Sequence, residues 1–162
     1  MRKPKYLDVF LPKMLPSPVL SPNRGARRDG RVPEMISKAK REMRADVAIG
    51  MLAFEQVREW DSPADYAHVV LTLRTMSAQQ ASATNRRDGT AGKRYRPDDS
   101  GNAVYALKAA IDGMIDAGIL VDDSYRHMFH SCIVERVETV EDEGLRIQVY
   151  ELPDRASDGD AG

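Results

Sequence analysis

Cysteine is almost absent from this chain of 162 residues. The single cysteine, Cys132, has no partner for a disulfide within the chain. A chain of this length can bury enough surface to fold without such cross-links. Because proteins without disulfides are typical of reducing compartments, the sequence predicts a cytoplasmic location.

Long apolar runs are also missing. No stretch approaches the ~18 consecutive apolar residues of a membrane-spanning helix, so we expect no membrane partner. The basic N-terminus is a poor signal peptide, because Asp8, Pro12 and Lys13 interrupt its apolar part. Hydrophobic residues make up 42% of the chain and charged residues 30%, which is typical of a soluble globular protein. The length predicts a single domain.

The chain as a whole lacks an excess of either charge, with a net charge of −1, but its charges are distributed in blocks. Residues 1–44 contain 12 basic and 4 acidic side chains, and residues 85–96 contain five and one. Residues 97–162 contain 5 basic and 15 acidic side chains. Such blocks indicate a polyanion-binding surface beside a separate acidic site. A solvated surface whose charges happen to segregate is the simpler alternative.

Two segments have apolar residues at steps of three or four, which is typical of a helix with one buried face. The first helix is predicted to begin at Pro33 and to continue to Val57. The second is predicted over residues 102–117, with Ser100 or Asp99 as its N-cap. Both helices are expected to pack on a small sheet, which makes the fold class α+β (mixed α/β).

Alternating apolar residues predict four strands, and the last two are expected to form a hairpin. The resulting order of elements is β-α-β-α-β-β. One domain is predicted over residues 1–152, followed by a disordered acidic tail over residues 153–162. The predicted strands cover residues 6–11, 67–74, 126–139 and 145–151, and the predicted irregular loops cover residues 12–32 and 75–98.

Two acidic pairs mark the candidate chemistry. Asp98 and Asp99 precede the second helix, and Asp122 and Asp123 follow the apolar run 119–121 behind it. Carboxylates from two separate segments are suitable ligands for Mg²⁺, which activates water in phosphodiester hydrolysis. The alternative is that the first pair caps the helix and the second pair forms a turn.

Lys108 and the histidines each allow a structural and a functional interpretation. Lys108 lies four residues before Asp112, so the two side chains could form an exposed ion pair that contributes ~0.3–0.5 kcal/mol. Lys108 could instead hold a phosphate or developing negative charge. A zinc site at His127 and His130 is disfavoured, because these positions of one strand point to opposite faces.

Residues 96–124, RPDDSGNAVYALKAAIDGMIDAGILVDDS, resemble the core of the RusA family of Holliday junction resolvases, notably its phage-borne members. The family pattern is an Asp-x-Asp-Asn motif, a helix with a lysine and an alanine-rich stretch, an Ala-Gly turn and an Asp-Asp pair. The early Pro22-Asn23-Arg24 loop is also similar to the family's first loop. The resemblance implies a crossover junction endodeoxyribonuclease, which is a hydrolase of DNA recombination and repair. It further implies a small homodimeric domain, Mg²⁺ as cofactor, branched DNA as substrate and a phage or prophage origin in a bacterial host.

The family's site residues map onto this chain position by position. Asp99 matches the first motif aspartate, Asp123 the later catalytic aspartate and Lys108 the family lysine. The resemblance implies that these three are catalytic and that Asp99 and Asp123, with Asp98 beside them, bind the metal. Asn102 and Asp122 are expected to support them.

The family's second motif aspartate falls on Gly101. Asp98 is a neighbouring carboxylate that could replace it. The alternative function is therefore a catalytically impaired protein that still binds DNA junctions, and a small protein-interaction domain is a third possibility.

The resemblance also accounts for the basic blocks, because protein cations bind DNA by displacing its counterions. The residues predicted to contact DNA are Arg24, Arg27, Arg28, Arg31, Arg86, Arg87, Lys93, Arg94 and Arg96.

Overall fold

The computed structural model of the chain describes residues 3, 5–22 and 32–153. Within these residues the fold is α+β, with one four-stranded sheet and two main helices, α1 and α4. The order of these elements is β-α-β-α-β-β, which confirms the sequence prediction. The strands are β1 (Tyr6–Pro12), β2 (Ala67–Thr75), β3 (Met128–Arg136) and β4 (Gly144–Glu151), and the helices are α1 (Val32–Leu52), α2 (Glu55–Arg58), α3 (Ala78–Arg87) and α4 (Ser100–Asp116).

The strands are arranged in the order β1-β4-β2-β3. Strand β4 is antiparallel to both of its neighbours, and β2 and β3 are parallel. The predicted hairpin between β3 and β4 is therefore wrong, because β2 lies between them. The connection over residues 137–143 is longer than a tight hairpin turn, and it carries the chain past the end of β2.

One face of the sheet carries the core. Alternate residues of the strands, such as Leu7, Leu71 and Ile147, are fully buried on this face. Helices α1 and α4 cover it and cross closely at Gly113, where an added Cβ would lie 2.6 Å from the Arg44 carbonyl oxygen. Within the described residues, no helix combines the length and apolarity needed to cross a lipid bilayer.

The helices differ from the prediction in two places. The first predicted helix is interrupted after Leu52, and α2 begins at Glu55. Helix α3 lies within residues 75–98. The prediction that this whole segment is an irregular loop is therefore partly wrong. The sequence of α3 shows no apolar periodicity, because Ala81 is the only residue of this helix that is buried. Its start does carry a sequence signal, since Ser77 and Gln80 form a reciprocal capping box.

A buried ion pair joins the segment before α4 to the sheet. The Arg96 guanidinium donates to both carboxylate oxygens of Glu143, with distances of 2.8 and 2.9 Å, and 3% and 2% of the two side chains are exposed. Glu143 Oε2 also accepts hydrogen bonds from the Met76 backbone N–H at 2.9 Å and the Thr75 hydroxyl at 3.1 Å. The chain that leads into α4 is thereby held against the ends of β2 and β4.

We predict that Glu143→Gln strongly destabilises the protein. The change leaves the Arg96 guanidinium buried without an opposite charge, and breaking a buried pair in this way costs ~3–5 kcal/mol. We expect a loss of this order in the free energy of unfolding at neutral pH, measured by urea denaturation. Glu141→Gln is the matched control, because Glu141 is exposed in the same short segment. Equal stability of the two variants would contradict the structural role of the pair.

The effect of Glu143→Gln should also depend on pH. Burial raises the pKa of the Glu143 carboxyl, but the hydrogen bonds from Arg96, Met76 and Thr75 outweigh it and hold the pKa below its ordinary value of 4.5. A carboxyl with a lowered pKa stabilises the fold above its unfolded pKa, and this contribution is lost as the pH falls through the folded pKa. The difference in unfolding free energy between wild type and variant should therefore shrink below pH 4.5.

Candidate metal and nucleic-acid site

Asp99 is the N-cap of helix α4. Its Oδ1 accepts a hydrogen bond from the Asn102 backbone N–H at 2.8 Å, and its Oδ2 accepts one from the Asn102 side chain at 3.1 Å. The prediction that Asp99 could cap this helix is confirmed. A carboxylate has about four lone-pair sites, so these two contacts leave Asp99 with capacity for a further ligand.

Asp123 and Lys108 line the same surface cavity, which has a volume of about 440 Å³. Gly101, the position that matches the family's second motif acid, lines it as well. The rest of the wall is formed by Val104, Tyr105, Ile111 and His130. The wall of the cavity therefore includes one acidic and one basic residue, Asp123 and Lys108. It also includes Gly101, where the family pattern has an aspartate.

The segment after α4 explains how Asp123 is positioned. Ile119 and Leu120 are almost fully buried, and Leu120 forms an isolated parallel bridge with Ala64. The carbonyl oxygen of Ile119 accepts hydrogen bonds from the Ala64 backbone N–H at 2.9 Å and from the Trp60 indole at 3.2 Å. Asp123 itself is exposed, so a fixed segment presents a solvated carboxylate.

The other predicted acids are engaged in local structure. Asp98 is exposed and pairs with Arg136 at 2.8 Å. Asp122 accepts a hydrogen bond from the Ser124 backbone N–H at 2.7 Å, as expected for a turn. Hydrogen bonds from the side chain and backbone of Ser124 hold the pKa of Asp122 below its ordinary value of 3.8. Asp122 thus matches the turn of the structural alternative, whereas Asp98 forms an ion pair with Arg136 and does not cap the helix.

The three acids predicted as metal ligands, Asp98, Asp99 and Asp123, are not brought together as one group. Across the described part of the chain, no three His, Cys, Asp or Glu side chains converge in an arrangement that could hold a metal ion. Asp123 lines the cavity, whereas Asp99 caps α4 and is not among the residues of the cavity wall.

Lys108 is exposed on α4, and the ion pairs of the described residues do not include one between Lys108 and Asp112. Lys108 therefore lines the cavity without the ion pair to Asp112 that the structural alternative proposed.

The predicted DNA contacts fall into three groups. Arg86, Arg87, Lys93 and Arg94 are exposed around the end of α3 and the loop behind it. Arg96 is buried against Glu143, so its guanidinium is not presented to a ligand and its predicted DNA contact is corrected to a structural role. The remaining predicted contacts, Arg24, Arg27, Arg28 and Arg31, lie outside the described residues.

His130 is a cavity residue that the sequence interpretation did not assign to this site. It lies on β3, on the side of the sheet that α4 covers, and it lines the cavity with Asp123 and Lys108. The alternation of β3 places His130 on the same face as buried Met128. That alternation was a usable signal, but the neighbouring strand and helix could not be known from the sequence.

The comparisons with known proteins do not extend these observations. No model of a known protein family matches the chain, and no curated protein matches it.

We predict that the capping role of Asp99 can be separated from its charge. Asp99→Ala removes the cap, which typically costs ~0.5–2 kcal/mol, whereas Asp99→Ser retains a good capping oxygen and removes the carboxylate. Urea denaturation should therefore show a loss of about 1 kcal/mol for Asp99→Ala and little change for Asp99→Ser. If the free energy of unfolding falls equally in both variants, Asp99 must stabilise the protein by more than its capping hydrogen bond.

Proposed function

We propose that this protein is a Mg²⁺-dependent endonuclease of the RusA type that cuts four-way and other branched DNA. The observation that carries the proposal is the cavity shared by Asp123, Lys108 and Gly101. These residues come from separate parts of the segment that resembles the family, and each stands at a position matched to a family site residue. Their meeting in one cavity is what the resemblance would require.

The donor chemistry of the site suits a hard cation. Asp123 would bind Mg²⁺ directly, with Asp99 as the second carboxylate at the start of α4. The metal would supply activation of water and offset the charge of the phosphate. Lys108 would add a fixed positive charge beside the scissile phosphate, and the apolar walls at Val104 and Ile111 would limit access of bulk water.

The exposed cations near α3 would hold the DNA backbone. Arg86, Arg87, Lys93 and Arg94 lie on the segment that leads into α4. Arg94 also borders two further surface cavities beside Lys13. Binding of this kind reads the phosphates and the shape of a junction, and it carries little sequence information.

A junction-binding protein with an impaired site is the second candidate function. It is favoured by Gly101, which places no carboxylate on the cavity wall, and by the absence of a three-acid cluster among the described residues. Such a protein would bind branched DNA through the same exposed cations but would not cut it.

We predict that Asp123→Asn abolishes cleavage and leaves folding and DNA binding intact. The change keeps the size of the side chain and removes the charge that holds the metal. Loss of groups that only support a ligand costs 10- to 100-fold, so we expect cutting of a four-way junction in Mg²⁺ to fall by at least about 100-fold. Binding, measured by gel shift in Ca²⁺, should be equal or tighter.

Asp112→Asn is the matched control for this experiment, because Asp112 lies on α4 but does not line the cavity. Similar cutting rates for wild type and Asp123→Asn would refute the catalytic assignment. If wild type binds the junction but does not cut it, the second candidate function is favoured.

We predict that replacing Arg86, Arg87 and Arg94 together by alanine weakens junction binding and flattens its dependence on salt. Each lost phosphate contact should reduce the slope of log affinity against log salt concentration by about 1. Arg96 is left unchanged, because its loss would destabilise the fold. Arg58→Ala, on α2, is the control for removal of a surface charge elsewhere. An unchanged slope in the triple variant would remove this segment from the DNA interface.

A further inference from the structure

The cavity beside α4 is larger than a hydrated metal ion needs. An octahedral Mg²⁺ shell of water-sized ligands, at about 30 Å³ each, occupies roughly 180 Å³. The cavity has a volume of about 440 Å³, which falls within the ~300–1,000 Å³ that is typical of sites for organic ligands. More than half of its volume therefore remains for a further group.

Much of the cavity wall is apolar or aromatic, and this part comes from one face of α4. Val104 and Ile111 lie two turns apart on this face, and Tyr105 is next to Val104. Ile111 is 4% exposed and forms the floor of the cavity, whereas Val104 and Tyr105 are exposed by 37% and 49% at its rim. Apolar and aromatic side chains around a concave site are suited to contact a ligand ring.

The Tyr105 ring and the His130 imidazole are not engaged by neighbouring groups. The ring contacts in the described part of the chain do not include Tyr105. The histidine hydrogen bonds of the same residues belong to His68 and His127. Because an imidazole can donate and accept hydrogen bonds, His130 on the strand side of the cavity can contact the polar edge of a ring that lies on Tyr105.

Lys108 adds a positive charge about one turn along α4 from Val104 and Tyr105. A lysine ammonium is a common ligand of phosphate. An apolar peptide would leave this charge without a partner, and phosphate alone would leave the apolar wall uncovered. A nucleotide satisfies both features, because its flat base is joined to a phosphate.

We propose that this cavity binds one unstacked nucleotide, with its base against Tyr105 and Val104 and its phosphate at Lys108. The inference rests on the proposed function in its choice of DNA as the natural ligand, and it adds a base contact to the contacts with the backbone. Stacking on an aromatic side chain tolerates every base, so the cavity selects an accessible base and not a sequence. Extrusion costs least for a base that is already unpaired, so DNA with unpaired bases at the branch should bind most tightly.

The first test uses a mononucleotide, so it requires neither junction binding nor cleavage. Nuclear magnetic resonance spectra of the full chain are recorded with 2′-deoxyadenosine 5′-monophosphate and, separately, with inorganic phosphate. The mononucleotide should shift the backbone signals of Val104, Tyr105 and Ile111, whereas phosphate alone should shift only those around Lys108. Tyr105→Phe should retain the shifts at Val104 and Ile111, and Tyr105→Ala should lose them. Equal spectra with the mononucleotide and with phosphate would overturn the proposal.

The second test measures the base contact in DNA by gel shift in Ca²⁺. Four-way junctions each carry one abasic nucleotide beside the branch point. At one position, loss of the base should weaken binding by wild type about 5- to 150-fold, the equivalent of ~1–3 kcal/mol for one stacked base. Tyr105→Ala should bind the intact junction more weakly by a similar factor and should not distinguish the abasic junction from the intact one. Alanine is a strong helix former, so replacement of the half-exposed Tyr105 should leave α4 folded.

Tyr125→Ala is the matched control, because Tyr125 is 74% exposed in a turn and does not line the cavity. This variant should respond to the abasic nucleotide as wild type does. An equal response of wild type and Tyr105→Ala would overturn the proposal, even if both cut the junction. Cavity shifts with the mononucleotide in a protein that binds no junction would support the nucleotide site and reject the proposed function.

Discussion

The buried pair of Arg96 and Glu143 is the interaction on which the rest of the structure depends. It connects three separate parts of the chain: the end of β2 through Thr75 and Met76, the start of β4, and the segment that enters α4. A buried charge is tolerated only when its partner and hydrogen bonds are all in place. Any movement of the loop before α4 therefore breaks several contacts at once, and the start of α4 is held in one position.

The geometry of the candidate site depends on this ion pair and on a second anchored segment, which follows α4. The Arg96 pair fixes the chain just before Asp99 and Gly101, while buried Ile119 and Leu120 fix the chain just before Asp123. Helix α4 spans the distance between the two anchors and carries Lys108 into the cavity. Asp99 and Asp123 are thus exposed carboxylates at the ends of two fixed segments of the chain.

The elements that bury an apolar face could be predicted from the sequence, and those that do not were missed. Helix α4 and the four strands follow from their periodicity, whereas α3 buries little and was predicted as a loop. The pairing of β3 with β2 joins residues that are distant in sequence. Because only a short connection separates β3 from β4, the sequence instead predicted a hairpin between these two strands. Arg96 could not be distinguished from its exposed neighbours, because composition does not tell which cation has a buried partner. The capping role of Asp99 was predictable from its place before the helix, but the position of His130 on the cavity was not.

We propose that the cavity beside α4 is a metal site, and paramagnetic relaxation by Mn²⁺ tests this proposal without any need for activity. Mn²⁺ accepts the same carboxylate oxygens as Mg²⁺ and broadens the nuclear magnetic resonance signals of nearby residues. We predict that a low Mn²⁺ concentration first broadens the backbone signals of Gly101 and Asp123, that excess Mg²⁺ restores them, and that Asp123→Asn loses the effect. Broadening centred on the acidic residues 135–143, or none at the cavity, would contradict it.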